Sequence, residues 1–274
     1  MPLSIDELQR AFGRAFSAKQ IENARAVLDA LDHYGDRLGI DTDQKRVHLL
    51  AQCAHESMWF VYDREIWGPT AQQQRYERDF TKPWNRDDPR NSLAFTLGNS
   101  AQGDGAFFRG YTGMQVTGRA NTVAFRDWCR MVIGGPVPDF AVAPDLMCTT
   151  PWEGLAPLWY WDARKLNAKI AVWDDLISPT RAINGRTNGL ADRRVCFGKI
   201  AMVVLNYDPT RIGVTRFQAH RGIICDGDLG PNTRAALHTA LGEIKGRPAP
   251  VTLAASTAPA AASFWSRIFG KITA

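Results

Sequence analysis

Lys45-Arg46-Val47-His48-Leu49-Leu50-Ala51-Gln52-Cys53-Ala54-His55-Glu56-Ser57-Met58-Trp59 reads as one helix. At about 100° per residue, Val47, Ala51, Ala54 and Met58 fall on one stripe. Leu49 and Cys53 fall nearly opposite, so both faces are apolar and the helix belongs between two layers of a core. Asp41-Thr42-Asp43 stands where an N-cap belongs. Glu56 lies beside Leu49 and Cys53, where an ionised carboxylate is poorly solvated and a general acid is at home. A salt-bridged core glutamate is the plainer alternative, with Arg64, Arg109 or Arg193 as partner.

Glu65 follows nine residues later, in Asp63-Arg64-Glu65-Ile66-Trp67-Gly68-Pro69-Thr70. In one continuous helix that spacing puts it about 13.5 Å further along and on the opposite face. The run from Ser57 to Tyr62 must therefore end the helix and turn back if the two carboxyls are to share a cleft. Carboxyl groups about 6.5–9.5 Å apart suit an inverting glycosidase, in which one protonates the leaving oxygen and the other activates water.

Outward from this helix, the apolar positions follow a helical period over most of the chain. Leu3 to Phe16, Ile21 to Leu38, Thr122 to Ile133, Pro151 to Leu166, Val172 to Ile183 and Leu190 to Leu205 are the other expected helices, and the fold class is mainly α. Gly68 to Thr117 is rich in Gly, Asn, Asp, Pro and aromatics and has no sustained period. A loop of that length in a compact domain is usually functional. The 274 residues, 45% hydrophobic and 22% charged, are ordinary for a globular chain with a sizeable core. No window approaches the 18 apolar residues of a membrane span. The acidic Ser4-Ile5-Asp6-Glu7 start is unlike a signal peptide. The five cysteines have no paired or zinc-like spacing and read as reduced, mostly buried thiols.

Charge is uneven. From Asp208 onward there are eight Lys/Arg against four Asp/Glu, out of a net +5 for the chain. A basic end on a near-neutral body suits a polyanion such as nucleic acid, a lipid headgroup or a bacterial wall, or is simply a solvated surface. Residues 244–262 are Pro- and Ala-rich and read as a linker. Within 263–274, Phe264, Trp265, Ile268, Phe269 and Ile272 recur at helical spacing around Arg267 and Lys271. This is a short basic amphipathic helix, suited to a membrane surface or to docking on the body.

Taken together, Ala54-His55-Glu56-Ser57, Arg64-Glu65-Ile66-Trp67-Gly68-Pro69-Thr70, Leu97-Gly98-Asn99, Gly103-Asp104-Gly105, Arg109 to Asn121, Ile183-Asn184-Gly185 and Asn188 to Arg193 occur in the order seen in glycoside hydrolase family 19. Over roughly Asp41 to Leu205 the chain resembles that family, above all its lysozyme-type phage and prophage endolysins. The resemblance implies a lysozyme-like helical domain of two lobes around a central cleft, covering 1–205. It implies Glu56 as general acid, Glu65 as the base that activates water, and Thr117 as a holder of that water. Gln115, Asn121, Asn184 and Arg193 match positions that bind sugar or shape the field around the carboxylates. No metal and no cofactor are implied. Three departures from the family's pattern leave the two glutamates intact and bear on the sugar subsites. Gly110-Tyr111-Thr112-Gly113 lacks an expected arginine, Asn121-Thr122 lacks an aromatic, and Arg186 replaces a glycine.

Of the nine tryptophans, Trp128, Trp159, Trp161 and Trp173 sit in helical runs and read as core. Trp67 and Trp84 are better placed to stack on sugar, and Tyr76 joins them as a substrate-binding candidate. His55-Glu56 is not a zinc-peptidase motif, because Trp59 stands where the second histidine is required. Residues 206–243, with Phe217-Gln218, the Asp226-Gly227 turn and Gly230-Pro231-Asn232-Thr233, resemble the second half of a peptidoglycan-binding repeat. That makes them either a small helical wall-binding segment or a packing pair. The expected activity is an endolysin's hydrolysis of peptidoglycan between N-acetylmuramic acid and N-acetylglucosamine. The other readings are a chitinase and a non-catalytic wall-binding protein. An endolysin without a signal peptide waits in the host cytoplasm for holin-dependent release, then reaches the periplasm and wall. Its partners would be glycan strands, with membrane contact through Phe264 to Ile272. A monomer is expected, and no nucleic-acid motif is present.

Overall fold

Residues 3–244 are described by a computed structural model. The amphipathic helix expected at 263–274 and the linker expected after residue 244 lie outside the described residues. The chain is mainly helical. Its helices are α1 (Ile5–Phe12), α2 (Ala18–Tyr34), α3 (Asp43–Glu56), α4 (Ala71–Gln74), α5 (Ser92–Leu97), α6 (Asp104–Phe107) and α7 (Arg119–Ile133), followed by α8 (Trp152–Ala163), α9 (Leu166–Ile170), α10 (Ile177–Asn184), α11 (Leu190–Val204), α12 (Arg211–His220) and α13 (Pro231–Glu243). Among the described residues, β pairing is limited to two isolated bridges, Arg64 with Tyr111 and Tyr111 with Val116.

α3 is the buried helix its two apolar faces demand. It starts on the Thr42 side chain, which accepts from the Lys45 amide, and every residue from Arg46 to Ala54 is buried. It packs chiefly on α11, with α8, α9 and α13 around it. Burying Val47, Leu49 and Leu50 completely contributes roughly 1.5–3 kcal/mol for each side chain. α2 packs along α8, and α1 lies against α11. Trp128, Trp159 and Trp161 are core, as their helical spacing requires, and Trp173 is partly buried against the same cluster. Four of the cysteines are buried thiols and Cys225 is exposed.

Several boundaries differ from expectation. α3 ends at Glu56, so Met58 leaves the apolar stripe and is 63% exposed. The stretch from Pro151 to Leu166 is not one helix, because Lys165 is left-handed at φ +52° and separates α8 from α9. The helix expected from Val172 begins only at Ile177, after left-handed Asp175 and Leu176 and an exposed Val172. The Gly68–Thr117 insertion carries three short helices, α4 to α6, between irregular stretches.

The segment at 206–243 packs directly on the body. Phe217, Leu237 and Leu241 are buried, and α13 lies on α11 and α3. Arg234 Nε and Nη2 donate to the two carboxylate oxygens of Asp175 at 2.6 and 2.8 Å. Gln218, fully buried, donates to Asp226 and Thr233 and accepts from the Gly227 amide, which sets the Asp-Gly turn.

Candidate active site

Glu56 is the last residue of α3, and two features hold that helix end in place. The first is the exit turn. Ser57 Oγ donates to the Cys53 carbonyl at 2.6 Å and accepts from the Phe60 amide at 2.8 Å. Met58, Trp59 and Phe60 are then all left-handed, at φ +50°, +57° and +68°. Side-chain-bearing residues resist that region by roughly 1–2 kcal/mol each, so the turn needs outside support. α2 supplies it through two buried amides. Gln20 Nε2 donates to the Trp59 carbonyl at 2.9 Å, and Asn23 Nδ2 donates to the Phe60 carbonyl at 3.0 Å. The helix thus ends between the two glutamates and does not run on through Glu65.

The second feature is α11. Arg193, 1% exposed, donates from Nη2 to Glu56 Oε1 and from Nη1 to Gln52 Oε1. One residue earlier on each helix, His55 Nδ1 pairs with Asp192 Oδ2 at 2.6 Å. α3 and α11 are therefore joined twice at the carboxylate. Of the three arginines considered as partners for Glu56, Arg193 is the one that pairs, whereas Arg64 donates to Asp145 at 2.7 Å. Arg193 is too buried to meet a polymer directly. Its place in the site is electrostatic, as the counter-charge to Glu56.

Glu65 lies beyond the turn, in extended chain. Its amide donates to the Gly110 carbonyl at 2.7 Å, and the Gly110 amide returns a bond to Glu65 Oε2 at 3.1 Å. Gln73 Nε2 donates to Oε1 at 3.0 Å. The Tyr76 hydroxyl also bonds to Glu65; burial first, then the Glu65 charge, pushes the tyrosine above its ordinary range. Each neighbour presents a donor, which is what an ionised carboxylate accepts. Gln73 is buried because it has a second task. Its Oε1 accepts the Thr70 amide in the box that starts α4, leaving Nε2 free for Glu65 and the Ile66 carbonyl.

Thr117 and Gln115 come to Glu65 through Gly110. The 110–117 loop is a tight hairpin in which Tyr111 and Val116 exchange both backbone bonds, at 3.1 and 2.7 Å. A Cβ on Gly110 would meet Gln115 Oε1 at 2.1 Å and Thr117 Oγ1 at 3.2 Å, so any larger residue there would push the Gln115 amide from its place. Thr117 Oγ1 donates to the Gln115 carbonyl at 3.0 Å, and Asn121 Nδ2 donates to the Thr117 carbonyl at 2.7 Å. Asn121 thus braces the loop from the first turn of α7. Asn184 serves its own turn, donating to the Asn188 carbonyl at 2.8 Å and accepting from the Arg186 amide at 2.9 Å. Tyr160, its hydroxyl on the Ile183 carbonyl at 2.9 Å, ties that turn to α8.

The chain between and just after the two glutamates exposes apolar side chains. Met58, Val61, Tyr62 and Ile66 are exposed, Ile66 at 74%. Trp67 and Tyr76 lie with ring centroids 6.3 Å apart, close enough to Glu65 for Tyr76 to bond it. Trp84 packs instead on Phe95 at 5.2 Å and on the Arg78 guanidinium at 4.8 Å, within the insertion. Sequence reasoning missed Gln52, Gln73 and the α2 amides Gln20 and Asn23. The Thr70-x-x-Gln73 and Ser17-x-x-Gln20 capping patterns were the available signals.

No family model matches the chain. A protein of Haemophilus influenzae (strain ATCC 51907 / DSM 11121 / KW20 / Rd), named as a glycosyl hydrolase family 19 domain-containing protein, is 28% identical over 186 residues. Those residues span 62% of this chain and 84% of that protein. Crystal structures of chitinase C from Streptomyces griseus HUT6037 and of a chitinase C mutant align with this chain. Each is 18% identical with a TM-score of 0.46, covering 73% of this chain and 76% of theirs.

Proposed function

We propose that the chain is a glycoside hydrolase of the family 19 kind, cutting β-1,4 links beside N-acetyl sugars by single displacement. The observation that carries this reading is the pair of glutamates held by separate frameworks. Glu56 stands at a helix end against a buried arginine, and Glu65 sits in a cage of donors. The Haemophilus relative's name points the same way. In the proposed step, Glu56 gives its proton to the glycosidic oxygen as the bond from that oxygen to the anomeric carbon breaks. Water attacks that carbon from the opposite face and loses a proton to Glu65, with Thr117 and Gln115 beside it. Arg193 receives the negative charge that Glu56 acquires, and does so in a site already organised for it.

The polymer we propose is bacterial peptidoglycan, and the role is that of an endolysin, a monomer that is released through a holin and then acts on the wall. The 206–243 segment, similar to part of a wall-binding repeat, would tether the enzyme to its substrate and raise the local substrate concentration. The test is mass spectrometry of soluble products after purified peptidoglycan and chitin oligomers are digested by the parent and by Glu56→Gln. New N-acetylmuramic reducing ends from the parent alone establish the muramidase. Cleavage of chitin oligomers without cleavage of wall makes it a chitinase. Anhydro ends mean a transglycosylase with another role for Glu65, and binding without products from either polymer leaves a wall-binding protein.

A further inference from the structure

Trp152-Glu153-Gly154-Leu155 opens α8 with a carboxyl in its buried first turn. Glu153 is 3% exposed, on the second residue of the helix. Its Oε1 accepts the Gly113 amide at 2.8 Å, while Oε2 is buried without a hydrogen-bond partner. Gly113 belongs to the hairpin that carries Gln115 and Thr117, and a Cβ there would stand 3.1 Å from Ser57 Cβ and 3.4 Å from Glu153 Oε1. The hairpin, the exit turn that follows Glu56 and the start of α8 therefore meet at one point.

We infer that Glu153 is a positioning residue of this site, a buried carboxyl that clamps the Thr112–Gly113 turn against the Ser57 end of α3 and so sets where Gln115 and Thr117 stand beside Glu65. The inference rests on the proposed roles of Glu56, Glu65 and Thr117. A buried carboxyl with one orphan oxygen is costly as an anion. The first turn of a helix favours negative charge. Burial outweighs it and pushes Glu153 up to about 8, against an ordinary 4.5. The other charged and titratable groups facing it are few. Asp63 repels an anion there, while Lys19 and Arg64 favour one. Asp63 is itself tied to Lys19 at 2.9 Å, and the Cys53 and Cys148 thiols, both pushed up by burial, carry no compensating charge. At neutral pH burial thus favours the uncharged acid, with Oε1 as the acceptor for Gly113.

Glu153→Gln keeps the acceptor and removes the titration, whereas Glu153→Leu removes both. The sign of the linkage is fixed by the raised value. Between about 4.5 and about 8 the unfolded chain has lost the Glu153 proton while the folded chain retains it, so the parent loses stability relative to Gln as pH rises through that window. The melting temperature of Glu153→Gln, taken relative to the parent's, should therefore climb across that window and level off above it. Amide exchange over 112–117 should match the parent in Glu153→Gln and quicken in Glu153→Leu. On whichever glycan the parent cuts, Glu153→Leu should lose on the order of tenfold or more in kcat with KM little changed, and Glu153→Gln should keep most of it. A Gln–parent gap that is flat with pH, or a Leu variant with parental exchange and kcat, overturns the inference. A Leu variant that fails to fold leaves the Gln profile to decide. If the parent cuts no glycan, the proposed function fails, yet the melting and exchange profiles still judge the clamp.

Discussion

Gln73 shows how one side chain can join folding to chemistry. Its two amide atoms have separate duties, with Oε1 closing the cap of α4 and Nε2 holding Glu65 and the Ile66 carbonyl. At 4% exposure, no water can readily stand in for it. Gln73→Leu leaves the Thr70 amide and the Ile66 carbonyl unmet, for a loss of roughly 1–3 kcal/mol. It should also cut kcat by on the order of tenfold or more by freeing the Glu65 carboxylate, with KM nearly unchanged. Gln73→Glu sharpens the test. It keeps an acceptor for Thr70 but sets a second carboxylate against Glu65, so its kcat should fall further than the Leu variant's. Steady-state kinetics on one soluble oligosaccharide, alongside thermal melting, separates the two effects. Equal kcat in parent and Leu variant would show that Gln73 serves the cap alone.

At the level of elements, the exit from α3 sets the path the chain takes from Glu56 to Glu65. Three successive left-handed residues without glycine are held there by amides that reach over from α2. Asn23→Leu leaves the buried Phe60 carbonyl without its donor and should lower the denaturation midpoint by the equivalent of about 1–3 kcal/mol, at unchanged m-value. The turn should then relax and the hydrolytic rate fall with it, while Asn23→Asp, which offers no amide donor, should not restore either. These elements also mark where sequence reasoning reaches its limit. The bodies of α2, α3, α7 and α11 were legible because a 3.6-residue apolar period carries them. Glu56 and Glu65 stood out as carboxyls around a helix end, and the order of the motifs supplied Thr117. The left-handed turn had no glycine to announce it, and its supports lie 39 and 37 residues away in the chain. Arg193's grip on Gln52 and the Glu153 clamp are likewise contacts between distant segments, which no local pattern encodes, while the Thr70-x-x-Gln73 pattern announces a cap but not the bond to Glu65.

For the molecule as a whole, the central helix is also where the C-terminal segment is fastened. His48 on α3 is 1% exposed and meets His238 of α13 with Nε2 to Nδ1 at 3.0 Å, flanked by Trp173 and Phe197. Gln44 Nε2 donates to His238 Nε2 at 3.1 Å and to the His238 carbonyl at 2.9 Å. A donor at His238 Nε2 makes its Nδ1 the proton carrier, so His48 Nε2 accepts and both rings are neutral. Burial, then the nearness of His238, pulls His48 down to about 3, and burial lowers His238 as well. Below the ordinary histidine value of 6.5 the unfolded chain takes up protons that the folded pair refuses. Stability therefore drains away as pH falls from there toward about 3, on the order of 3 kcal/mol by about pH 4 for His48 alone. His48→Met removes that titration and should flatten the acid limb of the melting curve, while changing stability less above the ordinary histidine range. Because α13 rests on α3 and α11, loss of the pair should release the 206–243 segment first. In the parent, amide exchange in α13 should then quicken below about pH 5 before exchange in α3 does, and in His48→Met the two should quicken together. Parallel acid limbs in parent and variant would show that the fastening is apolar packing alone, with no part played by the histidine pair.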